Sequence, residues 1–130
     1  MTRQSKIRGQ KGEEQAVRFL RSQGMEILDR NVRVGHGELD IVARDGDTLV
    51  FVEVKTAAGS DFGPPETWIT PRKMRALIAS AQRYLFEKGL EDWSCRFDLV
   101  AVEIGPTSTR VRHFKDAWQV DPDELYRDSD

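Results

Sequence analysis

The sequence predicts an α/β fold, one sheet with helices packed on it, on three observations. Two segments carry apolar residues at helical period and end at a glycine. Asp45-Gly46 stands between two apolar alternating runs, the strongest short-range sign of a β-hairpin. The resulting order is helix, three strands, helix, two strands, with no repeat and no linker long enough to separate a second domain.

Each element has its own signal. Gly9 to Gln23 reads as a helix with Ala16, Val17 and Leu20 as its apolar stripe and Phe19 beside it. Gly24 ends it. Met25 to Val34 alternates enough to be a first strand, and the hairpin follows. Ala57 to Ile69, with Gly59, Gly63, Pro64 and Pro65, reads as a loop leaving the second hairpin strand. Thr70-Pro71 is an N-cap followed by proline at the first helical position. Met74, Leu77, Ile78, Ala81 and Leu85 then hold the helical period up to Gly89. Cys95 to Ile104 is a strand with Phe97, Leu99 and Ala101 on one side and Asp98, Val100 and Val102 on the other. Val111 to Phe114 is a short last strand, and Trp118 covers the core. Residues 1–8 are expected to form a loose basic N-terminus, residues 9–120 a single domain and residues 121–130 an acidic disordered tail.

Totals narrow the function. A chain of 130 residues suits one packed core. No apolar run reaches the length of a membrane span, and the polar, basic start lacks the apolar stretch of a secretion signal. The single cysteine, Cys95, excludes an internal disulfide and a cysteine zinc cluster. A cytoplasmic location is the simplest inference. The net charge of −2 argues against bulk electrostatic binding of nucleic acid. The distribution is uneven, however. Arg3, Lys6, Arg8 and Lys11 precede any acid, and Arg72, Lys73, Arg75 and Arg83 share one helix. Arg110, Arg112, His113 and Lys115 cluster later, and acids dominate from Asp116 onward. Such clusters can meet phosphates locally, although a solvated face is the commoner role of each.

The hairpin carries the chemistry. Its strands are Gly37-Glu38-Leu39-Asp40-Ile41-Val42-Ala43 and Leu49-Val50-Phe51-Val52-Glu53-Val54-Lys55. Charges seldom interrupt runs this apolar unless something pairs with them. A two-residue type I′ turn at Asp45-Gly46 sets Arg44 against Asp47, Asp40 against Phe51 and Glu38 against Glu53. Glu38, Asp40, Glu53 and Lys55 then lie on one face, with Asp40 and Glu53 diagonal neighbours roughly 7–8 Å apart. A loop one residue longer separates them onto opposite faces unless a bulge corrects it. Magnesium takes one or two carboxylates, keeps waters and binds substrate phosphate. Asp40 and Glu53 supply the carboxylates, with the Val54 carbonyl as a further ligand. Lys55 is placed to orient a metal-bound water and to stabilise developing negative charge. Glu13, one turn before Ala16 and Val17, borders the buried side of its helix and can hold a water from there. Glu38 adds negative charge or faces solvent.

The sequence also resembles a known family. Gly9-x-x-Gly12-Glu13-x-x-Ala16-x-x-Phe19-Leu20, Arg30-Asn31, Gly37 to Ala43, Phe51-Val52-Glu53-Val54-Lys55-Thr56, Phe62-Gly63 and Cys95-Arg96-Phe97-Asp98 are similar to the signature of the bacterial YraN family. The likeness runs from about Gly9 to Trp118. It implies the restriction-endonuclease-like fold of the PD-(D/E)XK nuclease superfamily, which includes archaeal Holliday-junction resolvases. In that pattern an acid on the second strand and E-x-K on the third bind the metal, and a glutamate on the first helix assists. The matching residues are Asp40, Glu53, Lys55 and Glu13. Where the family usually has Arg after Lys-Thr, this chain has Ala57. If that arginine contacts phosphate, either affinity is lower in this chain or Arg72 or Lys73 takes over the contact.

The expectation is therefore a Mg2+- or Mn2+-dependent nuclease acting on DNA, branched or structured DNA included. Asp40, Glu53, Lys55 and Glu13 are its catalytic set, and Arg33, His36, Arg72 and Lys73 its nucleic-acid contacts. Two rivals are a nuclease-fold binding module without turnover, suggested by Ala57 and the weak charge, and a structural partner in a protein complex. Exposed Trp68 and Trp93 would favour the latter. Cutting both strands of a duplex or junction needs two sites, which a homodimer supplies. Cys95 is expected to be an inert buried thiol, and His113 structural. Arg96 is expected to pair an acid and brace the sheet, and Asn31 to reach substrate or hold the strand edge.

Overall fold

The computed structural model describes residues 3–58, 63 and 67–118. Its elements run α1 (Arg3–Ser22), β1 (Glu26–Val34), β2 (Gly37–Asp45), β3 (Thr48–Ala58), α2 (Pro71–Lys88), β4 (Ser94–Ile104) and β5 (Thr109–Trp118). This is the expected order. The strands form one mixed sheet in the order β1-β2-β3-β4-β5, with β3 and β4 parallel and every other pair antiparallel. The parallel pair is joined through α2, as a parallel connection requires.

Each helix covers one face. Ala16, Val17 and Leu20 of α1 pack with Ile41, Ala43, Val50, Val52, Val100 and Val102. Leu77, Ile78, Ala81 and Tyr84 of α2 pack with Val42, Phe51, Phe97 and Leu99. The alternation read for β4 is the one observed. Helix α2 starts and stops where its caps require: the Thr70 hydroxyl accepts from the Lys73 N–H, and Gly89 closes the helix in the left-handed region.

Strand β3 runs on through Ala57 and Ala58, where the sequence reading began a loop, and three other boundaries differ more widely. Helix α1 begins at Arg3, six residues before Gly9, because Arg, Gln and Lys are good helix formers and no breaker intervenes. Strand β5 spans Thr109–Trp118 rather than Val111 to Phe114, since pairing with β4 continues on both sides of an irregularity at Asp98. The acidic tail at residues 121–130 lies outside the described residues.

The third concerns the β2–β3 turn. Asp45 pairs with Thr48, so the loop is Gly46-Asp47 rather than Asp45-Gly46. Gly46 has φ +59, and glycine at the first loop position is the mark of a type II′ turn. The register moves by two residues: Val42 faces Phe51 and Ile41 faces Val52. An even shift preserves the faces, and the next step along sets Asp40 across from Glu53 instead of diagonal to it.

Helix α1 lies unusually close to β3 at one point. Gly12 is buried, and a Cβ there would overlap the Thr56 side chain. The absence of a side chain at Gly12 therefore sets how near Glu13 comes to the sheet. Gly12→Ala is expected to destabilise the protein by about 1–3 kcal/mol through overpacking. Urea denaturation checks this, and Thr56→Ala in the same chain should recover some of the loss.

Candidate active site

The site lies where β2 leaves its regular pleat. Leu39 packs in the α2-side core and Ile41 in the α1-side core, although residues two apart on a strand should share a face. The alternation breaks at Asp40. Directly across on β1, Asn31 has φ +50, the left-handed region that asparagine tolerates. Asp40 thus lies edge-on between the two faces of the sheet. Its Oδ2 accepts the Val54 backbone N–H at 2.9 Å, so the carboxylate caps the β3 edge where the β2–β3 ladder ends. The N–H and C=O of an extended residue point towards the same neighbouring strand. The Val54 carbonyl consequently lies on the Asp40 side as well.

Glu53 follows Phe51 on the α2 face, half-buried, with its Oε2 fully enclosed. Asp40 and Glu53 are within hydrogen-bonding reach of each other. Two carboxyls can make that bond only by sharing a proton. Burial first, and then the charge of Asp40, push the Glu53 carboxyl up to about 8. Burial also raises Asp40, against the pull of the Val54 N–H and of Lys73. The ammonium of Lys73, on the first turn of α2, stands 3.9 Å from Glu53 Oε1. One exposed lysine at that distance leaves most of the paired negative charge uncompensated.

Glu13 approaches from α1. Its carboxyl is raised chiefly by burial, with Asp40 and Glu38 adding to the effect while a hydrogen bond from Asn31 opposes it. Glu38 does not share the α2 face with Glu53, as the uniform alternation had required. Leu39 points into the α2-side core, so Glu38 turns towards the α1 side, among the groups that act on Glu13.

Of the predicted site residues, the structure gathers Glu13, Asp40 and Glu53, adds Lys73, and sets Glu38 beside them. Lys55 lies two residues beyond Glu53 on the same face and is exposed. Arg33 is exposed and pairs across the ladder with Glu38. Arg72 is exposed in the first turn of α2. His36 stands apart, in the exposed β1–β2 turn, on a surface cleft of about 330 Å3 shared with Ser80 and Arg83. Ala57 packs at the edge of the α2-side core. Sequence reasoning missed two roles. Asn31 hydrogen-bonds Glu13, and an asparagine inside a strand was the available signal for a left-handed kink. Lys73 reaches Glu53 because Thr70 fixes where α2 begins.

Other expectations separate cleanly. Asp98 has no solvent exposure. It accepts from Arg96 Nε at 3.0 Å and from the Asp116 backbone N–H at 2.9 Å, and His113 Nε2 lies 2.8 Å away. Arg96 also reaches Asp45 at 3.0 Å. Arg96 and His113 are therefore structural braces, as expected. Cys95 is exposed rather than buried, on the wall of an open surface cleft it shares with Ile78, Leu85 and Trp93. Trp68 is buried and donates to the Gly63 carbonyl at 3.1 Å, and Trp93 is half-buried beneath the Arg44 guanidinium. The exposed tryptophans that would have favoured a structural partner are not there.

Among the described residues no helix is long and apolar enough to cross a membrane. Nor do three His, Cys, Asp or Glu side chains among them form a ready metal cage. The donor set is two carboxylates and a carbonyl. A hard divalent cation accepts such a set when water and substrate oxygens complete its shell. The protonation that burial forces on the pair is what a bound cation would relieve.

Comparison with known proteins agrees along most of the chain. Residues 12–102 match the model of the uncharacterised protein family UPF0102. A UPF0102 protein of Geobacter sulfurreducens is 43% identical over 117 residues, covering 89% of this chain and 91% of its own. A UPF0102 protein of Syntrophotalea carbinolica is 46% identical over 121 residues, covering 93% and 98%. Among solved structures, SfsA of Pyrococcus furiosus in complex with Ca2+ overlaps with a TM-score of 0.40 at 14% identity. That overlap covers 85% of this chain and 63% of the SfsA chain.

Proposed function

This chain belongs to the uncharacterised protein family UPF0102, and we propose that it is a Mg2+- or Mn2+-dependent nuclease that hydrolyses phosphodiester bonds of DNA, branched or otherwise structured DNA included. The observation that carries this reading is the pair Asp40 and Glu53, crowded together at the splayed end of β2 and β3 with Lys73 beside them. Structural carboxyls are seldom crowded in this way, whereas catalytic ones often are.

Asp40, Glu53 Oε1 and the Val54 carbonyl would hold the ion. Bound there, it supplies polarisation of the scissile phosphate and a water of lowered pKa. The remaining work falls to the chain. The Val54 N–H fixes Asp40, so its free oxygen is preset. Lys73 offsets the carboxylates from the α2 side and meets the phosphate between them. Lys55, exposed on the rim, donates to the negative charge that grows on the phosphate and steadies the attacking water. Glu13, held by Asn31, accepts a hydrogen bond from that water on the opposite side. Arg72 and the positive N-terminal end of α2 attract the flanking backbone phosphates, with Arg33 and His36 farther along the strand path. A cytoplasmic protein working as a homodimer would bring two such sites to the two strands of a duplex or junction.

The test uses the full chain with labelled linear, nicked and four-way-junction DNA. Cleavage with Mg2+ or Mn2+ that stops on adding EDTA is expected. Salt-sensitive binding, followed by fluorescence anisotropy, with no product under any metal would instead make the chain a binding module. Neither binding nor cleavage would remove the nucleic-acid reading.

A further inference from the structure

The metal-site carboxylate has an inner oxygen that the chemistry above does not use. Glu53 Oε1 faces Lys73, but Oε2 is buried and meets no donor of the protein. The Trp118 indole Nε1–H is likewise buried and meets no acceptor. These two orphans have opposite hydrogen-bonding senses, and their residues line the same small cavity between α2 and the sheet, as does Asp40. Its other walls are apolar, among them Leu39, Leu77 and Phe97. The cavity has a volume of about 10 Å3, near the lower limit for holding one water, which also needs two to four polar partners.

We infer that a single buried water joins the Trp118 indole N–H to Glu53 Oε2, and that Trp118 is the positioning residue for this carboxylate. The indole donates to the water. The water donates one O–H to Glu53 Oε2 and the other to the Asp40 carboxyl. Three bonds is the usual complement of a buried water. Glu53 is thereby held with Oε1 turned outward. The inference rests on the metal-site reading for its functional consequence, though not for the water itself.

The backbone places Trp118 for this role. Leu99 pairs with Phe114, yet Phe97 pairs with Trp118, so three residues of β5 stand opposite Asp98 alone. Asp116, inside that bulge, has φ +51 and donates its N–H to Asp98 Oδ1. Without the bulge, Trp118 would fall beside Cys95, about 6.6–6.8 Å farther along β4. With it, the indole stacks on Phe97 at 5.4 Å, next to Phe51 and two residues before Glu53. The buried Asp98 cluster on the far side of the sheet thus fixes the register that brings the indole to the site.

Two measurements on the full chain test this. In metal-free wild-type protein with EDTA, NMR should show a cross-relaxation peak between the Trp118 indole proton and a long-lived water, absent in Glu53→Leu. No such peak in wild type, or an unchanged one in Glu53→Leu, overturns the bridge. The second measurement is Mn2+ titration calorimetry on wild type and Trp118→Phe, which keeps the ring stack and loses the N–H. Loss of an outer-shell partner is expected to weaken Mn2+ binding about tenfold. Equal affinity overturns the positioning role. Wild type that takes up no Mn2+ overturns the metal-site reading together with the positioning role, while the metal-free NMR result still decides the water. The wild-type NMR measurement does not depend on any variant folding.

Discussion

Asp40→Ala, Glu53→Ala and Lys55→Ala are each expected to reduce metal-dependent DNA cleavage by roughly 10²–10³-fold or more, with circular dichroism unchanged. The two carboxylate variants should also lose Mn2+ affinity in calorimetry, whereas Lys55→Ala should retain it. A lysine that acts on the phosphate rather than the ion has no reason to alter metal binding. Equal cleavage by wild type and all three variants would assign the activity to a contaminant. Glu53→Gln separates function from stability more sharply. Glu53 is largely shielded from water beside Asp40, and its carboxyl is held up to about 8 by burial and that neighbour. A neutral amide of the same shape removes the need to confine two acids together. In EDTA, Glu53→Gln should therefore melt a few degrees above wild type, on the order of 1 kcal/mol, while cleaving nothing. Such a gain from an inactivating change is the usual sign of a site built against stability. A lower melting temperature would mean that the carboxyl pair is structural. Saturating Mn2+ should reverse the order, because only wild type binds the ion.

Much of this architecture was legible because it follows from local rules. Gly89, Thr70 and Pro71 set the limits of α2, and alternation in β4 assigned each face correctly. The hairpin was placed by its Asp-Gly pair. Its register was misread by two residues, since a glycine can serve as the second loop residue of a type I′ turn or the first of a type II′ turn. The nearness of Asp40 to Glu53 survived, since both registers set them at neighbouring positions, whereas the single face shared by Glu38, Asp40, Glu53 and Lys55 did not. What could not be read were effects of the third dimension. The kink at Asn31 and Asp40 moves Glu38 to the other side, and no period-two rule contains it. Lys73 and Trp118 lie 20 and 65 positions after Glu53, so their approach to the site depends on how α2 and β5 dock. Cys95 was expected inside because its strand is apolar, but apolar character says nothing of where an open cleft is left between helix and sheet.

The largest stability effect should come from outside the site, at Asp98. This carboxylate has no exposure to water, and burial is the strongest single influence on it, opposing ionisation. Bonds from His113, Arg96 and the Asp116 N–H together outweigh burial and hold the group below the usual carboxylate range. Asp98→Ala removes the acceptor shared by an imidazole, a backbone N–H and the Nε of a guanidinium that keeps only Asp45. Removing one partner of a buried ion pair costs about 3–5 kcal/mol, so the urea midpoint should fall steeply or the chain fail to fold. Asp98→Asn keeps the shape and loses the charge, and should cost less. The pH dependence has a definite sign. With the folded pKa below the unfolded one, near 3.9, the contribution of Asp98 is complete at neutral pH. It is lost as the pH falls through the unfolded and then the folded value. Glu13, Asp40 and Glu53, all raised, act in the opposite direction and are the same in both proteins. The stability gap between wild type and Asp98→Asn should therefore close as the pH falls below about 4. No gap at neutral pH would mean that Asp98 holds the bulge by shape alone. A gap that closes would show that its charge keeps Asp116 turned, and so keeps Trp118 at the site.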